Sequence, residues 1–469
     1  MGNMSTAIWW VQRDLRLSDN QALAAAQSRA DVVIPVFVLD QKLLTSPNAG
    51  QNRVAFLLDG LRSLDSDLRK RGSALIVREG DPLEALRILC RETGATRIFA
   101  QADVSPYARR RNERVKGELS LTLTPGLTVH PPETLVKPDG SPYTVFTPFA
   151  RKWRSLPFTG RPRPATERFS APPLLTSLGI PALPQYAHSS IFPTGEAEAQ
   201  RRLDAFIDSD IDHYVEGRNR MDLEGTSRLS PYLRFGMLSA RQAAWAAREA
   251  DGGAKGAVAR QGSETWLNEL IWREFYTTIL YHYPDVLHSA FRPELRTIHW
   301  REDSAGFSAW AEGRTGYPVV DAAIRQLNSS GWMHNRARMI VASFLVKDLL
   351  IDWRLGERYF MQHLLDGDPA SNNGGWQWTA GTGTDAAPYF RVFNPVLQGK
   401  KFDPHGAYVR RWVPELTRVP NAFIHTPWEM PDDLQVRVSC VIGKNYPAPI
   451  VDHAIARDRV LAAYKKGNK

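Results

Sequence analysis

The sequence predicts an α/β unit on a doubly wound, parallel, five-stranded sheet, then a long connector, then a large all-α domain. Three observations carry that reading. Residues 1–130 alternate short β-branched runs with amphipathic stretches; prolines then crowd into one segment; and 11 of the 14 tryptophans follow Gly195, where strand patterning stops. At 469 residues the chain exceeds the size at which one hydrophobic core stops growing, so about two to three compact units are expected.

In the first unit AIWWV, DVVIPVFVLD, SALIVREGD, TRIFAQADV and LTVH are continuously apolar, as strands buried on both faces are. Stretches between them, such as RVAFLLDGLRSLDSDLRKRG, carry the helical period, and strand–helix alternation builds a parallel sheet with helices on both faces. No GxGxxG follows the first strand, which argues against a dinucleotide seat of the usual kind there. From Pro157 to Pro193, eight of the 32 prolines fall within 37 residues of little periodicity. The expected division is therefore 1–130 for the sheet domain, 131–195 for the connector and 196–469 for the helical domain.

Composition bounds the setting. A formal charge of +9 suits a polyanionic partner, and a solvated basic surface fits it equally well. Two distant cysteines, Cys90 and Cys440, make neither a disulfide framework nor a zinc site, so no metal and a reducing cytoplasm are expected. The most apolar helical stretch, RMIVASFLVKDLLIDW, is broken by Lys347 and Asp348 and cannot be a membrane span. The early run IWWV ends at once in QRDLRLSD, so no secretory signal is read.

Four segments of the helical domain concentrate chemistry. GTSRLSPYLRFG (225–236) sets hydroxyls around an arginine at a helix start, an arrangement that suits phosphate but reads identically as a plain N-cap, which the segment alone favours. In TWLNELIWREFY (265–276), Glu269, Trp272, Arg273 and Tyr276 share one helical face; the segment alone reads better as core aromatics with a local ion pair. GWMHNRARMI (331–340) aligns Asn335, Arg338 and Met339, where a methionine is usually core filler but a buried amide needs partners. DGDPASNNGGWQWTAGTGTD (366–385) invites a calcium loop, yet Ala370, Ser371 and Gln377 stand where that loop needs Asp or Asn, Gly and Glu.

Together with WVQRDLRLSDN near the N-terminus, the motifs TSRLSPYLRFG, WLNELIWREFY, WMHNRARMI, GDPASNNGGWQW and TGTDAAPYFRVFNP strongly resemble the photolyase/cryptochrome family, and its class I cyclobutane pyrimidine dimer photolyases in particular. The resemblance covers nearly the whole chain. It implies an FAD-binding helical domain, with Tyr214 and the run Thr226, Ser227, Arg228, Leu229 and Ser230 at the phosphates. Asp366 and Asp368 would face the ribityl and adenosine side, with Arg338 pairing with Asp366, and Asn372 would face the flavin N5. Family members use light-excited reduced FAD (FADH⁻) to donate an electron to a pyrimidine dimer flipped out of ultraviolet-damaged DNA. In that pocket Glu269 would bond the thymine, Asn335 and Met339 would contact the dimer, and Trp272 and Trp378 would wall it. Arg273, Arg336 and Arg391 would hold flanking phosphates, with Gln398 at the rim.

The resemblance also implies that Trp300, Trp353 and Trp376 relay electrons to oxidised flavin. Within the family, MHNRARM lacks the paired histidines of six-four photolyases, and Asn372 stands where plant cryptochromes carry Asp and animal ones Cys. The expectation is a monomeric repair enzyme rather than a cryptochrome-like blue-light sensor. An antenna, 8-hydroxy-deazaflavin or methenyltetrahydrofolate, would sit in the N-terminal domain, lined by Arg13, Phe37 and Asp103. A strand end at Asp103 followed by a solvated basic helix explains DVSPYARRRNER equally well.

Overall fold

The computed structural model describes residues 4–158, 160–170, 174–182, 191–253, 256–388 and 390–467. Packing groups the chain into two compact units, one of Met1–Asp212, Ser227–Pro284 and Leu365–Ala370, the other of His213–Thr226, Asp285–Leu364 and Ser371–Lys469.

The first unit holds a five-stranded sheet: β1 Thr6–Trp10, β2 Val32–Leu39, β3 Ile76–Glu79, β4 Arg97–Gln101 and β5 Leu121–Thr124. All pairings are parallel, in the order β3-β2-β1-β4-β5. Ile8 of the central strand lies opposite Ile34 and Ile98, and these aliphatic residues form one buried layer with Leu86 and Leu89 of the Pro82–Thr93 helix. That helix starts where Asp81 accepts from the Leu83 and Glu84 N–H groups and ends at Gly94, whose φ of 67° few other residues tolerate. Strand order reverses between β1 and β4, so the loops leaving their carboxyl ends flank the crevice where such sheets bind ligands.

The fifth strand is Leu121–Thr124, not the expected LTVH run. Leu127–His130 is buried but bends away, because its N–H groups have a different acceptor: Val129 N donates to Glu274 Oε1 at 2.5 Å and His130 N to Oε2 at 3.5 Å. A carboxylate 145 residues further on replaces the strand ladder.

The unit also gathers helices Glu196–Ser209, Ala240–Gly253 and Ala257–His282. The loop after β1 fastens to the segment just before Ala240–Gly253: Leu15 N donates to Phe235 O at 3.2 Å, Arg16 Nη1 to Gly236 O at 3.0 Å, and Ser239 Oγ to Asp19 Oδ2 at 2.7 Å. Gly236 has φ 66°, and a Cβ there would stand 2.0 Å from Arg13 O, so both backbone conformation and space require glycine. The expected connector contributes the helix Phe146–Ser155, which packs on Ala257–His282. Its residues 159, 171–173 and 183–190 lie outside the described residues.

The second unit is helical, and among its described residues the one β-bridge joins Ile442 to Tyr446. One apolar cluster runs from the Pro318–Ser330 helix through Asn335–Ser343 to Trp353, Phe360, Trp376 and Val409. Phe344–Asp348 is a π-helical turn followed by Leu350 at φ 55°. Lys347 there is buried, its pKa pushed down to about 7 by that burial, and its Nζ donates to Ala380 O at 3.1 Å.

Candidate functional site

In the first unit, Ala257–His282 has two faces. Trp266, Leu270, Ile271 and Phe275 are buried, whereas Glu269, Trp272, Arg273 and Tyr276 are half-buried, so the predicted shared face forms at the border of the core. Phe146 lies flat on Trp272, with centroids 3.7 Å apart and planes 3° from parallel; Tyr276 leans on the same indole at 5.6 Å. Arg273 Nη1 donates to Leu127 O at 2.9 Å. One residue on, buried Glu274 accepts from Val129 N, His130 N and, at 2.6 Å, Trp153 Nε1. Burial outweighs these bonds and pushes the Glu274 pKa up from 4.5 to about 7.

At the sheet crevice Arg13, on the loop after β1, donates to Asp103, after β4, at 3.3 Å and to Asp368 at 2.6 Å. Burial opposes the Arg13 charge, but the two carboxylates outweigh it and raise its pKa; Arg13 in turn helps to hold Asp103 low against burial. Arg234 and Arg53 crowd the same cluster, pushed down to about 9 and about 10, chiefly by burial, with Asp368 opposing in both cases and Asp366 also beside Arg53. Asp368 Oδ1 additionally accepts from Ala370 N at 3.0 Å. Arg13 and Asp103 thus form an ion pair, while Phe37 stands within β2 opposite Val77.

Ser227, Arg228 and Ser230 are half-buried and Leu229 is buried. Arg228 takes φ 51°, and the helix Ser230–Phe235 begins after Leu229 with no side-chain cap bond. In the second unit, Tyr214 opens the short helix Tyr214–Gly217, and Gly217 passes so close to Gly225 that a Cβ on the latter would stand 2.8 Å from Gly217 Cα. This crossing brings the Tyr214 turn beside Thr226.

Elsewhere in the second unit His334 caps the Asn335–Ser343 helix, its Nδ1 accepting from Arg336 N at 3.1 Å. Asn335 is exposed and Met339 half-buried, so neither is core; Asn335 Nδ2 lies 4.0 Å and Arg336 Nη1 3.5 Å from the Met339 sulfur. Arg336 also covers the Phe402 ring at 4.5 Å, and half-buried Arg338 donates to Met333 O at 2.9 Å. Arg391 is exposed; half-buried Gln398 sits on the helix Pro395–Phe402, capped by Asn394.

Residues 371–380 complete the Pro369–Ala380 helix. Asn372 Nδ2 donates to Glu357 O at 3.0 Å, which leaves its carbonyl oxygen as the acceptor pointing elsewhere. Asn373 and Gln377 both donate to Val286 O, and Asn373 also to Glu357 Oε1 at 3.0 Å. Burial pushes the Glu357 pKa up to about 7. Trp376 is buried, 5.0 Å from Phe360 and 6.2 Å from Trp310, and shares one apolar cluster with Trp353, against which half-buried Trp300 packs; Trp378 is half-buried.

Sequence reasoning missed Phe146, Glu274, Glu357, Asn373 and Gln377. Phe146, Phe149 and Trp153 fall at i, i+3 and i+7, a helical signal inside the connector; the others carried none.

Each unit offers groups that fit FAD. Half-buried Ser227 and Ser230 bring hydroxyls to a helix start, Asn372 presents an amide acceptor, and a Cβ on exposed Gly375 would meet nothing within 4 Å, leaving room for a ring. Among the described residues no group of His, Cys, Asp and Glu is placed to hold a metal ion.

Comparison with known proteins agrees. Residues 7–168 match the family described as DNA photolyase, and residues 266–466 the FAD binding domain of DNA photolyase. A deoxyribodipyrimidine photo-lyase of Agrobacterium fabrum is 41% identical, over 97% of this chain and 97% of its own. The crystal structure of a bacterial class III photolyase from Agrobacterium tumefaciens is similar with a TM-score of 0.93 at 39% identity, covering 100% of this chain and 98% of that one. A Synechocystis cryptochrome structure is similar with a TM-score of 0.89 at 28% identity, covering 99% of this chain and 100% of its own. The paired sheet and helical segments, the half-buried Glu269–Tyr276 face and these likenesses converge: the chain belongs to the DNA photolyase family and carries its FAD-binding domain.

Proposed function

We infer that the chain uses FAD and blue or near-ultraviolet light to repair DNA, splitting cyclobutane pyrimidine dimers flipped from the duplex. Its relatives favour repair over light sensing. The observation that carries the residue-level reading is the border face of Ala257–His282, where a carboxyl, an indole and a guanidinium stand half-buried on one helix.

When bound, reduced FAD supplies an excited electron to the dimer and receives it back. The chain's own residues then bind and orient. On the border face Glu269 bonds the thymine carbonyl and imide and Trp272 forms an apolar wall, while Arg273 takes a flanking phosphate with the donors not spent on Leu127 O. In the second unit exposed Asn335 and half-buried Met339 contact the dimer, Trp378 forms a further wall, and Arg336 and Arg391 hold phosphates, with Gln398 at the rim. Dimer recognition requires the lesion outside the stack, where these groups reach it.

For the cofactor, the assigned contacts are Tyr214, Thr226 to Ser230, Arg338, Asp366, Asp368 and Asn372. Asn372, whose amide nitrogen is directed to Glu357 O, would turn its carbonyl oxygen, an acceptor only, toward the flavin N5. Trp376 and Trp353 are buried in one apolar cluster and half-buried Trp300 packs against it, which supports an inward electron relay entered at Trp300. The crevice of Arg13 and Asp103 lies where an antenna, 8-hydroxy-deazaflavin or methenyltetrahydrofolate, would enter. Among the described residues no helix is long and apolar enough to cross a membrane, and a cytoplasmic monomer is the proposed form.

The test is direct. Chemically reduced protein is mixed with ultraviolet-irradiated DNA and the dimers are counted after blue light and after darkness. Loss of dimers in the light alone is expected; intact dimers after prolonged illumination reject repair.

A further inference from the structure

The segment between the sheet and the helical domain does more than cross. Its helix Phe146–Ser155 lays three aromatic residues on Ala257–His282: Phe149 and Trp153 are buried, and Phe146 is half-buried against the indole of Trp272. The Phe146–Trp272 contact is a parallel stack at 3.7 Å and 3°. Phe275 meets Phe146 at 6.0 Å and 82° and Trp272 at 5.6 Å and 85°, an edge-to-face contact with each partner of the stack. The far end of the same helix is latched, Trp153 Nε1 donating to Glu274 Oε2 at 2.6 Å.

A half-exposed indole with no such partner samples several rotamers, and a ligand pays to select one. With Phe146 flat on one face, and Phe275 and Tyr276 against the same indole, Trp272 has a fixed plane. We propose that Phe146 is a positioning residue for dimer recognition, holding Trp272 in the orientation that walls the flipped lesion. This rests on the reading of Trp272 as a wall of the lesion pocket. The residue acts through Trp272 and belongs to dimer-containing DNA alone; contact with undamaged duplex does not involve it.

The experiment is a double-mutant cycle on the full-length protein with FAD bound, Phe146→Ala against Trp272→Ala, measuring affinity for a duplex with one thymine dimer and for the same duplex undamaged. Phe146→Ala is expected to weaken dimer binding about five-fold, the range of one aromatic stack, and to leave undamaged DNA unchanged. On a Trp272→Ala background its further effect should vanish, since its partner has gone. Phe146→Tyr should restore the wild-type ratio, whereas Phe146→Leu, which keeps apolar volume and secures folding, should behave as the alanine variant does. Additive losses, equal losses on both duplexes, or full activity of Phe146→Leu overturn the proposal while sparing the Trp272 reading. No effect of Trp272→Ala overturns both.

Discussion

The Ala257–His282 helix of the sheet-bearing unit hangs on a carboxylate, whereas residues 371–380 of the second unit hang on amides. Glu274 draws in Val129, His130 and Trp153 by accepting their N–H groups; Asn373 and Gln377 reach out by donating to Val286 O and, for Gln377, to Ser289 O at 3.2 Å. Both devices place a buried polar residue next to an outward group, Glu274 beside Arg273 and Gln377 beside Trp378. The difference is that the first anchor is itself the titrating group, whereas the amides meet one only through Asn373, which donates to the Glu357 carboxyl. The hold on Ala257–His282 is thus tied to pH through its own carboxyl, while Gln377 is held by bonds to neutral groups.

The largest expected effect breaks the neutral anchor. Gln377 is buried, with its amide nitrogen serving Val286, Ser289 and Asn373 and its oxygen accepting from Phe291 N at 2.9 Å. Gln377→Leu leaves those groups unmet and should cost about 2–4 kcal/mol in denaturant unfolding, by the same amount at pH 5 and pH 8. Next is Gly356→Ala. Its Cβ would stand 2.1 Å from Trp376 Cη2 and 2.7 Å from Leu345 Cδ2, so the indole must move, at about 1–3 kcal/mol and with slower flavin photoreduction.

The titrating anchor behaves differently. The folded state holds the Glu274 proton up to about pH 7, whereas the unfolded chain releases it near 4.5, so stability falls as pH rises through that window. Glu274→Gln should remove this slope, worth about 1–3 kcal/mol, in unfolding measured across pH 4 to 8. A slope unchanged in the variant would show that the carboxyl titrates alike in both states. The smallest effect on the fold belongs to Glu269→Ala, a half-buried residue at the rim of the core. It should lower the quantum yield of repair several-fold while changing dimer affinity far less; equal losses would make it a binding residue only.

The parts legible in the sequence were those written in local period. Four strands of the sheet and the Glu269–Tyr276 face follow from apolar runs and from the 3.6-residue repeat. The fifth strand was misplaced because Leu127–His130 is as apolar as a strand, and only Glu274, far along the chain, diverts its N–H groups. The same distance hid Phe146: its stacking partner lies 126 residues on, and a proline-rich neighbourhood masked the helix that presents it. Similarly, nothing local separates Asn372 from Asn373, though one amide is committed to Val286 O and Glu357 Oε1 while the other keeps a carbonyl oxygen to offer. FAD itself was named by the resemblance of five motifs, not by any one loop.

The central claim is a division of duties, with the border face of Ala257–His282 handling the lesion and the Trp376 route only recharging the flavin. Trp376→Phe tests it most directly, assayed for dimer repair under blue light from two starting states. Pre-reduced variant and wild type should clear dimers at equal rates, while from oxidised flavin only wild type should become active. A pre-reduced variant that fails to repair, or an oxidised one that photoreduces normally, would contradict the account.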